Sequence, residues 1–252
     1  MKDVTFTYPR TDTPVLRDVS LHLPAGTAVA IVGENGAGKT TLAKLLTRMY
    51  EPTSGDIFLD DIALAHFDID EWRANVAATF QDFARYEFRA GTTVGVGDLP
   101  NMDDDHAVTL ALTRAGANDV VPKLADGLDT PLGRSFPDGR DLSGGEWQKI
   151  ALGRGRMRAD PLLLILDEPT ASLDAPTEYA LFERYVAAAR DAARRRGTVT
   201  VLVSHRFSTV RMADLIIVLD QGRTAEVGPH EQLIASGGIY AELFALQQRP
   251  YL

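Results

Sequence analysis

Residues 33–40 read Gly-Glu-Asn-Gly-Ala-Gly-Lys-Thr, and glycines at that spacing before a lysine and a hydroxyl can cradle a polyphosphate. Gly33, Gly36 and Gly38 let the backbone turn successive N–H groups toward one point, with Glu34, Asn35, Ala37 and Thr41 completing the loop. Lys39 would reach the outer phosphates, Thr40 would offer its hydroxyl to Mg²⁺, and the helix beginning here would add partial positive charge. Taken without a ligand, the same residues are a Gly-rich turn before an ordinary helix. A second stretch, Leu-Leu-Leu-Ile-Leu-Asp-Glu-Pro-Thr at 162–170, ends an apolar strand on adjacent carboxylates. Asp167 can hold a metal ion through its waters, and Glu168 can take a proton from an attacking water. Alone, Glu168 also reads as a polar strand end before a proline turn.

The elements that must position these groups follow from apolar periodicity. Ala-Val-Ala-Ile-Val at 28–32 predicts a fully buried strand, and Leu42, Leu45 and Leu46 mark one face of a helix from Lys39 to about Met49. Buried strands are also predicted at 162–166 and 199–203, separated by a long helix from about Pro176 to Arg196; this pattern calls for a parallel sheet with crossover helices. Residues 4–8 and 18–23 alternate like an antiparallel pair. Residues 82–158 carry few strand signals, with helical patterns from Asp103 to Ala115 and from Gly144 to Met157. A hairpin around Asp220, Gln221 and Gly222, within 214–227, precedes two short helices ending near Gln248. The divisions are 1–81 for the first strands and first part of the core, 82–158 for a helical subdomain, and 159–252 for the rest of the core. Arg190, Arg194, Arg195 and Arg196 read as a solvated cap complementing a helix dipole, not as a binding patch.

The 252 residues are 45% hydrophobic and 24% charged, values of an ordinary globular protein, and they exclude disorder and collagen. The absence of cysteine excludes disulfide frameworks and cysteine-ligated zinc or iron–sulfur centres. A net charge of −9 speaks against nucleic acid as the main partner. Apolar runs are far shorter than a spanning helix requires, and the first ten residues lack the apolar core of a cleavable signal.

Leu-Ser-Gly-Gly-Glu at 142–146 could be a helix cap, but with the two stretches above it resembles the signature of ATP-binding cassette proteins, the nucleotide-binding domains of ABC transporters. Four more residues stand in the family's order: Tyr8 as the adenine-stacking aromatic, Gln81 of the Q-loop, Asp174 of the D-loop Ser172-Leu173-Asp174, and the switch His205. Each alone has a plainer reading, as a strand aromatic, a loop amide, a helix cap and a strand-end histidine. The resemblance implies an α/β fold with a RecA-like parallel core, an N-terminal antiparallel β subdomain and an inserted α-helical subdomain. It implies ATP and Mg²⁺ as ligands, with Thr40, Gln81 and Asp167 at the metal and Glu168, His205 and Gln81 in catalysis. It also implies that Ser143, Gly144, Gly145 and Glu146 act in trans on a second nucleotide-binding domain, identical or different.

Within the family the chain resembles exporter cassettes. Three stretches carry this: Phe-Thr-Tyr-Pro near the start, the run leading into 142–148, and residues 204–233 with the tail at 237–247. A membrane domain, fused upstream or separate, is therefore the implied partner, and the cytoplasmic side of the plasma membrane the implied location. Met1 lies too near Tyr8 for membrane helices to intervene, so the expectation is an excised domain or a separately encoded membrane partner. The competing functions are a soluble ABC ATPase acting on nucleic acid or the ribosome, and a scaffold that binds ATP without turnover. The lack of sustained heptads between Lys39 and Asp167 and the single cassette disfavour the first, and the presence of Glu168 and His205 disfavours the second. Two departures stand out. Gly153 and Gly155 interrupt a helix, which predicts a less rigid one. The Gly-rich stretch 89–98 predicts a loosened region after the Q-loop.

Overall fold

The computed structural model describes residues 1–169 and 175–248, so Ser172, Leu173 and Asp174 lie outside the described residues. Strands β1 (Lys2–Phe6) and β2 (Leu16–Val19) pair antiparallel, Val4 opposite Val19 and Phe6 opposite Leu16, with all four side chains buried. β2 therefore begins before the expected residue 18 and ends at Val19, because Leu16 and Val19 are the residues that match β1. Strand β3 (Ala28–Val32) is buried throughout and feeds α1 (Lys39–Leu46), which buries Leu42, Leu45 and Leu46. That helix stops short of Met49, since Arg48 takes a positive φ of 52°.

Residues 54–79 hold elements that the apolar pattern did not announce. β4 (Ser54–Asp56) joins β1 to complete a sheet of order β2-β1-β4; β5 (Phe58–Leu59) and β6 (Ile62–Ala63) form a small hairpin. Helix α2 (Ile69–Ala74) is capped by the Asp68 carboxylate, and β7 (Val76–Thr79) follows it. Helices α3 (Ala90–Gly95), α4 (Asp105–Arg114) and α5 (Gly144–Gly155) form the helical lobe around Val94, Val108, Leu112, Trp147 and Leu152.

The chain returns to the core through β8 (Leu163–Asp167), α6 (Ala175–Arg196), β9 (Val199–Val203), α7 (Phe207–Val210), β10 (Leu215–Asp220) and β11 (Arg223–Gly228). Helices α8 (His230–Ser236) and α9 (Ile239–Gln248) close the described chain. The main sheet runs β11-β10-β3-β9-β8-β7, parallel from β10 to β7 with β11 antiparallel at the edge. The expected hairpin is thus β10–β11, and β10 also extends the parallel core beside β3.

Both glycine expectations are corrected by packing. A methyl on Gly153 would sit 2.8 Å from Leu112 Cδ2, and one on Gly155 would overlap the Thr79 hydroxyl. These glycines let α5 lie directly on α4 and β7, which offsets the ~1 kcal/mol of helix propensity that each forfeits. In the Gly-rich stretch, side chains at Gly95 and Gly97 would overlap the carbonyls of Met102 and Arg154, so the stretch is closely packed and not loosened. The arginines ending α6 are exposed but not merely solvated. Arg195 pairs with Asp160 at 2.9 Å, and Arg196 donates to the Asp160 carbonyl and to Asn75 Oδ1, tying the helix end to the loops before β7 and β8.

Candidate nucleotide site

Parallel strands present their C-terminal ends along one edge, and the chain leaves that edge where the sequence placed its chemistry. The loop 33–38 follows β3, Gln81 follows β7, Asp167 ends β8 with Glu168 next, and His205 follows β9. Gly33 has a φ of 147°, and any side chain there would overlap the Leu219 carbonyl of β10, so only glycine lets the loop pass. Lys39 is buried and its Nζ donates to the carbonyls of Gly33 and Glu34, both at 2.9 Å. Desolvation lowers its pKa, opposed by the negative charges of Glu168 and Asp167. The ammonium is thus held over the loop by weak neutral acceptors, which phosphate oxygens would outcompete.

Asp167 is 1% exposed, and neither carboxylate oxygen has a hydrogen-bond partner of normal geometry. Burial pushes its pKa up to about 6, helped by Glu168 and Asp82 and opposed by the Thr40 hydroxyl and Lys44. An orphaned buried carboxylate beside a hydroxyl is a hard-oxygen environment that suits Mg²⁺.

Glu168 adopts a φ of 47°, a strained value for a side chain of its size, and its N–H donates to the Val203 carbonyl at 2.9 Å. Its Oε1 lies 3.4 Å from His205 Nδ1. The switch segment is held from a direction that no motif disclosed. The Gln247 side chain of α9 donates to the His205 carbonyl, and its Oε1 accepts from the Phe207 N–H at 3.2 Å. Nothing in the local sequence marks Gln247, because the contact spans 42 residues.

Tyr8 lies past the end of β1, half-buried, with its hydroxyl 3.1 Å from Thr41 Oγ1 and its ring edge-on to Phe6 and Tyr50 at 4.9 and 5.2 Å. It is therefore beside the phosphate-loop helix and not within the strand. Gln81 is exposed, in the turn after β7, the strand paired with β8, which Asp167 ends. The signature folds as a capping box at the start of α5: Glu146 N–H donates to Ser143 Oγ, and Glu146 Oε2 accepts from the Ser143 N–H at 3.0 Å. That hydrogen bond holds the Glu146 carboxyl below the usual range against the pull of burial. Gly144 and Gly145 have open space where side chains would project. Among the described residues no hydrogen bond or ion pair joins residues 143–146 to the phosphate loop.

The ABC transporter family profile matches residues 16–171, more than half of the chain. The chain belongs to the ABC transporter family. It is 40% identical over 245 residues to the ATP-dependent lipid A-core flippase of Ralstonia nicotianae, covering 97% of this chain and 40% of that protein. It is 36% identical over 242 residues to the subtilin transport ATP-binding protein of Bacillus subtilis, covering 96% and 38%. Among solved structures, a bacterial Atm1-family ABC exporter with ATP bound superposes with a TM-score of 0.87 at 36% identity, over 100% of this chain and 42% of that one. The chain spans about two fifths of the length of these relatives. Among the described residues no helix is long and apolar enough to cross a membrane.

Proposed function

We propose that this ABC domain binds and hydrolyses ATP with Mg²⁺ and drives an exporter by closing head to tail on a second such domain. The observation that carries the proposal is the convergence, at one sheet edge, of a buried lysine held among the described residues by carbonyls, an orphaned Asp167 carboxylate and the Glu168–His205 pair. Lys39 would leave the Gly33 and Glu34 carbonyls for the β- and γ-phosphates. Thr40 and Asp167, with Gln81 beside them, would hold Mg²⁺, which when bound neutralises charge on the transferring phosphoryl group. Glu168 would take the proton of the attacking water as its oxygen bonds to the γ-phosphorus and the bond to ADP breaks. His205 would steady that carboxylate and the γ-phosphate, and Tyr8 would stack on the adenine. Asp174, in the D-loop outside the described residues, is assigned to the dimer contact by resemblance alone.

The surface supports the membrane partner. Beside the Q-loop lies a cavity of about 580 Å³ lined by Phe80, Phe83, Tyr86, Phe88 and Arg154. Tyr86 and Phe88 are exposed, and the Arg154 guanidinium lies 4.5 Å from the Tyr86 ring centroid. An apolar groove rimmed by polar groups is the kind of surface that a partner helix covers, and we assign it to the membrane domain, at the cytoplasmic face of the plasma membrane. Single-turnover hydrolysis tests the catalytic core. Glu168→Gln should bind ATP normally and hydrolyse it ~10²–10⁴-fold more slowly. A rate within threefold of the unmodified chain would remove Glu168 from its role.

A further inference from the structure

A second cluster of cations lies away from the nucleotide edge, toward the N-terminal ends of the parallel strands. A cavity of about 160 Å³ is bounded by Arg114 at the end of α4, Arg156 at the end of α5, Arg158, Leu164 of β8, Arg195 of α6 and Thr200 of β9. Leu164 and Thr200 are register partners, so their side chains share the sheet face beneath α6. Leu164 precedes Asp167 by three residues, about 10 Å along the strand, and no residue of the phosphate loop lines the cavity.

Apart from Arg195, its arginines have no carboxylate partner among the described residues. Arg156 is 8% exposed, its Nε has no hydrogen-bond partner, and its guanidinium makes no ion pair among the described residues. Its one favourable contact there is the Tyr185 ring, 5.3 Å from Cζ. Arg114, half-buried on the same cavity, has no carboxylate partner among the described residues and repels Arg156. Arg158 donates through Nη1 to the carbonyls of Arg73 and Val76 and makes no ion pair among the described residues. Asp191, the acid on the cavity wall, lies 3.7 Å from Arg194, and Asp160 is taken by Arg195. On the opposite wall the Thr200 hydroxyl is buried with no partner.

Two arginines without ion pairs among the described residues, Arg114 and Arg156, line one small cavity with Thr200, a lining that calls for an anion with several acceptor oxygens. We propose that this cavity binds a small phosphate-class oxyanion, bridging Arg114 and Arg156 of the helical lobe to Thr200 and Arg195 of the sheet core. The volume suits a five-atom tetrahedral ion, and the planar forks of the arginines match its oxygens in pairs. The bound ion would tie the end of α5, the helix that the signature begins, to β9, the strand that leads to His205.

The phosphate loop also binds phosphate, so the test is run in the Lys39→Ala chain. Orthophosphate and sulfate are titrated against chloride at constant ionic strength, with the thermal midpoint as readout. The expected result is a saturable rise with either oxyanion that chloride does not give. Adding Arg156→Met, which keeps the bulk and removes the charge, should raise the half-saturating concentration at least tenfold, and Arg114→Met should raise it less. Glycerol phosphate in the same series separates the sources: a response as strong as that of orthophosphate assigns the site to phosphorylated small molecules, and a weaker one to the free ion. Either a missing saturable response in the Lys39→Ala chain or an equal response with and without Arg156 overturns the site. The Met variants are expected to fold, since removing unpaired buried charge is seldom costly. Arg114→Met, on the half-exposed side, is the independent check if Arg156→Met fails to fold.

Discussion

At the scale of single residues, Asp167 and Tyr8 carry consequences that can be measured apart from turnover. With its pKa at about 6, well above the ordinary carboxylate value near 3.9, Asp167 binds a proton more readily folded than unfolded. Folding stability therefore falls as pH rises from about 4 to about 6, and the cost of the buried charge, on the order of 3 kcal/mol, persists above that window. Asp167→Asn should remove this cost while abolishing Mg²⁺-dependent hydrolysis. The variant and the parent, both without nucleotide, should melt together at pH 4 and separate by pH 7.5, with the variant higher. Equal melting temperatures at pH 7.5 would show that the carboxylate is solvated. For Tyr8, a stacking contribution of ~1–3 kcal/mol predicts that Tyr8→Ala weakens ATP by roughly 5- to 150-fold. Tyr8→Phe loses the 3.1 Å contact to Thr41 but keeps the ring, so its affinity should stay near that of the parent. Calorimetric titration distinguishes the two, and an unchanged Kd in Tyr8→Ala would return the residue to a packing role.

At the scale of elements, the helix carrying the signature is fixed by absence of side chain. Gly155→Ala raises intrinsic helix propensity yet places a methyl on the Thr79 hydroxyl, so it should destabilise the chain by ~1–3 kcal/mol in urea unfolding. Gly153→Ala meets only the tip of Leu112, which can rotate, and should cost less. A stabilised Gly155→Ala protein would show that α5 does not rest on β7 this closely. Sequence periodicity could not reveal this, because it reads each helix against itself and the value of these glycines lies across the gap to another element. The same limit explains β7. Val-Ala-Ala-Thr carries little strand signal, and its place in the sheet is fixed by pairing with β8, far along the chain. The phosphate loop, the Asp-Glu strand end and the capping box were legible because each is complete within a few consecutive residues. Gln247 was not, since its role exists only after α9 has packed beside the switch segment.

At the scale of the whole molecule, the proposed head-to-tail pairing would complete a nucleotide site that one chain leaves open. The signature opens α5 in the helical lobe, the phosphate loop belongs to the sheet core, and no hydrogen bond or ion pair among the described residues joins them. Ser143 and Glu146 satisfy one another in the capping box, while the space above Gly144 and Gly145 is open. A second chain can therefore bring the helix start against a γ-phosphate held by Lys39, and its N–H groups attract that phosphate only when ATP is bound. Gly145→Asp isolates this contact. Its side chain would meet nothing within the monomer, and an acidic residue in the first helical turn favours the helix dipole, so the monomer should fold and bind ATP as before. Across the interface the same carboxylate would face the γ-phosphate and repel it. Dimerisation should thus require ATP, be strongest in Glu168→Gln and be lost in Gly145→Asp, as sedimentation can show. Complementation is sharper. Neither Lys39→Ala nor Gly145→Asp can form a working site with a copy of itself, whereas a mixed dimer joins an intact Lys39 from one chain to an intact Gly145 from the other and completes one site. Mixing the two inactive proteins should restore hydrolysis, about half of the parental rate per mixed dimer if the two sites turn over independently. No recovery at concentrations where Glu168→Gln dimerises with ATP would mean that one complete site cannot turn over alone. An ATP-loaded Glu168→Gln protein that stays monomeric at high concentration would count against the head-to-tail assembly itself.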